Sequence, residues 1–275
     1  MTEAKPSGWI ENPSTITPEA TELFEVYAKI PADRVKEHIK KIRDDAFKIH
    51  PYPCLATFTF LDLLITESRR YGEVLERVKN GDKFLDLGCC VGQDVRKLVF
   101  DGAPSENTYG ADLAQGFLDI GYRLFLDEST LKTKFLAADI FDPESSLKQL
   151  DGQLDIVYAS MFLHLFDYDH CVKAAHRIIK LFKDKPDCLF MGGNLGQLEA
   201  GHIPGSKVGA ERYRHNAESF TQMWAKVGED TGTKWQVDAY LKDEDLYAKA
   251  EKFGVKLSFI PPGTRWLHFS VRRIA

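Results

Sequence analysis

The chain of 275 residues is 44% hydrophobic and 28% charged, the balance of a globular protein with a sizeable core and not of a disordered segment. A formal net charge of -5 removes the footprint with which nucleic-acid binders neutralise phosphates, so no nucleic-acid partner is expected. No run approaches the roughly 18 to 20 apolar residues of a membrane span, and Met1 to Thr15 lacks the basic start and apolar run of a signal peptide, so a cytoplasmic protein without membrane contact is expected.

From about Pro18 to Asn80 the pattern is helical. Val35, Ile39, Ile42, Ala46 and Ile49 share one face, and the basic stretch Lys36 to Arg43 forms its wet side. The prolines of His50-Pro51-Tyr52-Pro53 forbid helix continuation and predict a fixed, extended loop. A second apolar stripe starts at Phe58, Leu61 and Ile65 and ends near Gly81. From Lys83 to Gly193 short apolar runs alternate with helical stretches, which predicts parallel strands joined by crossover helices: an α/β fold with an open, doubly wound sheet. Asn194 to Tyr213 reads as loop, Ala217 to Val227 and Asp243 to Phe253 as helices. Two strand-like runs then close the chain, KLSFI (256–260) and RWLHFSV (265–271), and the short Pro261-Pro262-Gly263 link between them demands antiparallel neighbours. The expected organisation is a helical cap over 1–80, a ligand-binding core over 81–193, and a lid insertion with a terminal strand pair over 194–275.

The sharpest local feature is Phe84-Leu85-Asp86-Leu87-Gly88-Cys89-Cys90-Val91-Gly92, followed by a helical run from Gln93. A strand ending in an acid and turning through glycines into a helix presents bare amides to a nucleotide-like ligand. Nicotinamide-binding proteins need G-x-G-x-x-G, whereas the corresponding positions here are Gly88, Cys90 and Gln93, so two of three glycines are missing. Asp112 ends the next strand and Asp139, followed by Ile140, the third. Five cysteines, Cys54, Cys89, Cys90, Cys171 and Cys188, show no CxxC spacing, so free thiols are expected and neither a disulfide scaffold nor a metal site.

The acid-G-x-G-x-G pattern resembles motif I of class I S-adenosylmethionine-dependent methyltransferases, with Cys90 at the middle glycine, a small residue expected to fit without positive φ. The resemblance implies a Rossmann-like seven-stranded sheet with an antiparallel last strand beneath an N-terminal helical lid, and S-adenosylmethionine as cofactor. It further implies that Gly88 and Gly92 form the turn and that Asp86 faces the methionine amino group. Asp112 would accept the ribose hydroxyls, Leu113 would lie against the adenine, Asp139 and Ile140 would clamp that ring, and Ser160 would stand where cofactor and acceptor meet. Leu163-His164 resembles an element common after the fourth strand of small-molecule methyltransferases, which makes His164 the candidate catalytic residue, as a base or a hydrogen-bond donor.

Outside this core, Gly8 to Pro13, His50 to Cys54 and Arg214-His215-Asn216 resemble fungal secondary-metabolite methyltransferases that esterify a carboxyl group in meroterpenoid pathways. Tyr52, His202, Tyr213 and Arg214 are the corresponding candidates for binding a small-molecule acceptor, and a homodimer is consistent with the resemblance. Trp9, Tyr27 and Tyr52 are candidates for aromatic faces near the sulfonium. Two alternatives share the architecture: a nicotinamide-dependent oxidoreductase and a non-catalytic methyltransferase-like partner protein.

Overall fold

The computed structural model describes residues 8–13, 16–205, 211–252 and 260–275. Its strands are β1 (Phe84–Leu87), β2 (Thr108–Asp112), β3 (Lys134–Ala137), β4 (Ile156–Tyr158), β5 (Leu189–Gln197), β6 (Gly201–Pro204), β7 (Glu211–Arg214), β8 (Trp235–Leu241) and β9 (Thr264–Arg273). Seven form one sheet in the order β3-β2-β1-β4-β5-β9-β8, while β6 and β7 make a separate hairpin. The first five in that order run parallel, and β9 is antiparallel to both β5 and β8. Strand order reverses between β1 and β4, and ligands of such sheets bind at that switch point, outside the carboxyl ends of the strands.

The helices are α1 (Pro18–Glu22), α2 (Ala32–Ile49), α3 (Pro53–Thr57), α4 (Tyr71–Lys79), α5 (Gln93–Phe100), α6 (Gln115–Phe125), α7 (Tyr168–Leu181), α8 (Ala217–Thr231) and α9 (Leu246–Lys252). The near-continuous apolar runs of β1 and β4 follow from burial on both faces. Phe84 and Ile156 pack with α4 and α5, whereas Leu85 and Val157 pack with α7 and α8. The cap shares a third cluster with α6, where Phe24 stacks on Phe125 at 5.4 Å. Among the described residues no helix is long and apolar enough to cross a membrane.

The seven-stranded sheet with its antiparallel strand agrees with expectation, as does the extended segment from His50 to Tyr52, although Pro53 already opens α3. Four stretches differ, one of them the segment read as loop up to Tyr213, parts of which form β6 and β7. The stripe from Phe58 to Gly81 is broken into two 3-10 turns, Thr59–Leu61 and Leu64–Glu67, before α4 begins. Phe58 adopts φ 62° and ends α3, which sets its ring 4.0 Å from the buried Arg43 guanidinium, a tertiary contact that local periodicity does not encode. β5 continues to Gln197 through Gly192, Gly193 and Gly196, residues that weaken a strand signal and led to the loop reading from Asn194. A Cβ at Gly192 would lie 1.9 Å from the Ala159 carbonyl, so the close approach of two strands requires glycine there. β8 occupies part of the stretch read as lid insertion and supplies the antiparallel partner expected of KLSFI. Trp235, Val237, Ala239 and Leu241 alternate along it and pack on the main core, a period-2 signal the sequence carried. Residues 256–259 of KLSFI lie outside the described residues.

Candidate functional site

After β1 the backbone turns through Gly88 (φ 80°) and Gly92 (φ 67°) into α5. A Cβ at Gly88 would stand 2.6 Å from the Phe162 ring, so glycine is needed for space as well as for its backbone. Cys90 departs from expectation: it adopts φ 49°, the left-handed region that costs a non-glycine residue about 1–2 kcal/mol. Its amide donates to Asp112 Oδ2 at 2.9 Å, and this charge-assisted bond holds the conformation.

Asp112 Oδ1 accepts from the Ala114 amide at 3.1 Å, so both carboxylate oxygens are fixed by backbone and each keeps a lone pair for a ligand. Leu113 beside it is 70% exposed, an apolar side chain left bare at the ligand edge of the sheet. Ala138 donates to the Asp112 carbonyl at 2.8 Å, which carries Asp139 to the same edge; Asp139 Oδ1 accepts from the Phe141 amide at 2.9 Å. Ile140 is buried behind it.

Asp86 is buried and has no cationic partner among the described residues. Burial pushes its carboxyl well above the usual carboxylate range, and nearby Asp94 and Asp112 add to the rise. Such a group is an uncompensated acid awaiting a cation. Asp94 accepts from the Ile65 amide at 3.2 Å and from the Tyr158 hydroxyl at 3.2 Å, linking the turn's helix to the cap and to β4. Exposed Leu113, fixed Asp112 and unpaired Asp86 thus present in sequence an apolar surface, a hydroxyl acceptor and a cation site. This arrangement fits the adenosyl and amino ends of S-adenosylmethionine.

The β1–β4 register pairs Asp86 with Tyr158, which brings Ser160 level with Gly88. Ser160 Oγ donates to the Gly193 carbonyl at 3.3 Å. Beyond it, Asn194 Oδ1 takes the Phe162 amide at 3.0 Å and lies 3.4 Å from His164 Nδ1. His164 is buried, and that burial, with the Arg214 guanidinium beside it, pushes its pKa down to about 3. It is therefore neutral at physiological pH and a poor base.

The β6–β7 hairpin docks on this segment. Tyr213 donates its amide to the Phe166 carbonyl at 2.7 Å, and Arg214 Nη1 donates to the His164 carbonyl. Arg214 is fully buried, with burial lowering its pKa to about 10. His202, exposed on the hairpin, packs edge-on to Tyr213 and lies 3.2 Å from Glu211. His164, His202, Tyr213 and Arg214 are thus brought together. Tyr52 is not among them: it packs on Phe117, and its hydroxyl, pushed up to about 12 mainly by burial, senses Asp112 and Cys90 at the glycine turn. Trp9 and Tyr27 are elsewhere too. Trp9 covers the Arg43 guanidinium at 3.9 Å inside the cap, and Tyr27 ties the cap to the core by donating to Asp127 at 2.7 Å. His215, already noted beside Arg214, borders the site as well, and Asn194, Phe162, Trp266 and His268 do so without having been singled out. For Asn194 and Phe162 the only local signal was their place next to a strand end.

A family described as "Meroterpenoid methyltransferase N-terminal domain" matches residues 9–61, and one described as "Methyltransferase domain" matches residues 84–185. The O-methyltransferase phiE of a fungal species is 43% identical over 92% of this chain and 85% of its own length. The O-methyltransferase atr3 of Stereocaulon alpinum is 43% identical over 96% of the chain and 75% of its own. The Asnovolin E/Chermesin D methyltransferase nvfJ of Aspergillus novofumigatus is 42% identical over 87% of each. Among solved structures, 1,6-didemethyltoxoflavin-N1-methyltransferase of Burkholderia thailandensis, in complex with S-adenosylhomocysteine, shares the fold. It matches with TM-score 0.53 at 14% identity over 87% of this chain and 90% of its own. The CurJ carbon methyltransferase matches with TM-score 0.54 at 15% identity over 93% and 67%.

Proposed function

Because the chain belongs to the S-adenosylmethionine-dependent O-methyltransferases that carry the meroterpenoid methyltransferase N-terminal domain, we propose that its acceptor is a carboxylate of a small secondary-metabolite intermediate and its product a methyl ester. S-Adenosylmethionine supplies a methyl carbon already activated on a sulfonium. The protein's task is to align nucleophile, carbon and sulfur and to exclude water.

The observation that carries the ester-forming reading is the state of the histidines beyond β4. Burial depresses the basicity of His164, to about 3, of His215, to about 4, and of His268. A phenol, with an ordinary pKa near 10, needs a base to become a nucleophile; a carboxylate, ordinarily near 4, is ionised at neutral pH and needs none. Neutral imidazoles suit the second case, where they donate hydrogen bonds and take no proton. In that reaction a carboxylate oxygen forms the new bond to the methyl carbon, the carbon–sulfur bond breaks with its electron pair staying on sulfur, and no proton is released.

The roles proposed for the chain's own residues follow the charge logic of the site. Asp86 pairs with the α-ammonium, Asp112 accepts the ribose hydroxyls, Leu113 and Ile140 contact the adenine, and Asp139 takes its exocyclic amine. Gly88 and Gly92 keep the turn open, and Ser160 stands between cofactor and acceptor. His164 fixes the segment after β4 through Asn194 and Arg214. The name of nvfJ, an asnovolin E/chermesin D methyltransferase, and the match to a meroterpenoid methyltransferase domain support a meroterpenoid-like acid as acceptor here. Labelled cofactor, purified protein and a panel of aromatic and terpenoid acids test the reading. A labelled product that mild alkali saponifies is expected; a label that survives alkali, as in a methyl ether, would sink it.

A further inference from the structure

On the cap-facing side of the sheet a small crevice, open to solvent, lies between the C-terminal part of β4, β5 and β9 and the segment 64–68 of the cap. Ser160, Gly193, Trp266 and His268 line it from the sheet, and Leu64, Glu67 and Ser68 from the cap. The register explains the sheet side. Gly193 pairs with His268 across β5 and β9, so the imidazole meets no side chain opposite. A Cβ at Gly193 would have three atoms at 3.8 Å: Ser160 Oγ, His268 Nδ1 and the Leu267 carbonyl oxygen. The missing side chain thus leaves a gap flanked by two side-chain hydrogen-bonding groups.

The neighbouring groups strengthen the case. His268 stacks on Tyr240 with ring centroids 5.5 Å apart and planes within 13°, which fixes its ring, and its nitrogens make no hydrogen bond among the described residues. Trp266, two residues along the same face of β9, likewise leaves its indole N–H without a partner among them. Ser160 is level with Gly88, so the gap lies on the acceptor side of the cofactor turn, next in line along the sheet. Burial, with Lys242 and Arg69 nearby, lowers the His268 pKa, and Glu67 opposes this; Glu67 is joined to Lys242 at 2.5 Å and Arg69 is set over Tyr240 at 4.1 Å.

We propose that the acceptor's carboxylate seats over Gly193, one oxygen on Ser160 Oγ–H and the other on His268 Nδ1–H, with its ring system along Trp266 and Leu64. This assignment rests on the ester-forming reading. It makes His268 a catalytic residue that binds and orients the nucleophile without taking a proton, and Gly193 the residue whose lack of a side chain admits it. Ser160 exchanges its long bond to the Gly193 carbonyl for one to the acceptor, and the neutral imidazole adopts the tautomer with hydrogen on Nδ1.

Calorimetric titration of the protein loaded with S-adenosylhomocysteine tests the seat, with 1-naphthoate and 1-naphthol as probes. Gly193→Val is expected to weaken 1-naphthoate by at least about tenfold, the consequence of filling a snug space. Gly193→Ala, whose Cβ meets only ordinary contacts, gives a smaller loss in a protein whose folding is not in question. His268→Phe keeps the stack on Tyr240 but loses the donor and binds 1-naphthoate weakly, and His268→Asn, with an amide N–H at a similar reach, restores it. S-Adenosylhomocysteine affinity stays that of the wild type in all four. Unchanged 1-naphthoate binding in Gly193→Val overturns the seat, as does the absence of heat from both probes. Binding of 1-naphthol alone, blocked by Gly193→Val, defeats the carboxylate reading while leaving the seat as the acceptor site.

Discussion

Asp86 is held by its surroundings in a state that a proton or a bound cation relieves. Burial and the neighbouring Asp94 and Asp112 raise its carboxyl well above the ordinary range, so it takes up a proton as the pH is lowered sooner than an exposed carboxylate does. An ammonium group binds the ionised form and stabilises it, so cofactor affinity rises with pH up to the raised pKa and levels above it. Calorimetry over a series of pH values above the ordinary carboxylate range should show this rise for the wild type. Asp86→Asn should bind S-adenosylhomocysteine about tenfold or more weakly near neutral pH, the loss of about 1–3 kcal/mol for a charged hydrogen bond, with the pH dependence flattened. A wild-type affinity that does not vary with pH would remove Asp86 from the ammonium site. At this same scale, Cys90 shows a limit of motif reading: its type matched a small residue in a turn, but its positive φ depends on an amide bond to Asp112 from the next strand.

At the scale of elements, Arg43 joins the cap to itself. It sits on the buried face of α2, and its guanidinium donates to the carbonyls of Ile10 at 3.0 Å, Glu11 at 3.2 Å and Leu55 at 3.3 Å. Trp9 and Phe58 close over the two faces of the charge, and Asp44 accepts from Nε at 2.7 Å. The sequence placed Arg43 on the wet side of the helix because a charged residue between lysines reads that way; burial by the chain's own N-terminal segment is a tertiary event. Arg43→Met should cost about 3–5 kcal/mol in urea unfolding, since the buried Leu55 carbonyl and two partly buried carbonyls lose a charged donor. Proteolysis near residues 8–13 should come first. A variant with the wild-type midpoint would show that the clamp contributes nothing.

For the molecule as a whole, Asp94 is the node where α5, β4 and the cap meet. Its carboxyl is raised to about 7 by burial, although the Ile65 amide and Tyr158 hydroxyl partly offset this. In the unfolded chain the same group titrates near its ordinary value, so between about pH 4 and about pH 7 the folded state holds the extra proton. Its stabilising contribution is complete below that window and falls as pH rises through it. Thermal unfolding of the wild type should show a midpoint declining over that range relative to Asp94→Asn, whose amide cannot ionise but still accepts from Ile65. Parallel pH profiles for the two proteins would show that Asp94 is already ionised in the fold.

By itself the sequence determined the alternation of strand and helix, the glycine turn after an acid, and two more acids at successive strand ends. Each of these is a local pattern, set by a period of apolar residues or by the backbone freedom of a few positions. Only the tertiary structure decided that Tyr52 stands at the cofactor end while Tyr213 and Arg214 pack behind His164, and that Gly193 leaves His268 uncovered. These relations join residues far apart in the chain through sheet register and burial, and burial also turned His164 from a candidate base into a neutral hydrogen-bonding group. A residue's type fixes which bonds it can make; its neighbours in space fix its charge and what it faces.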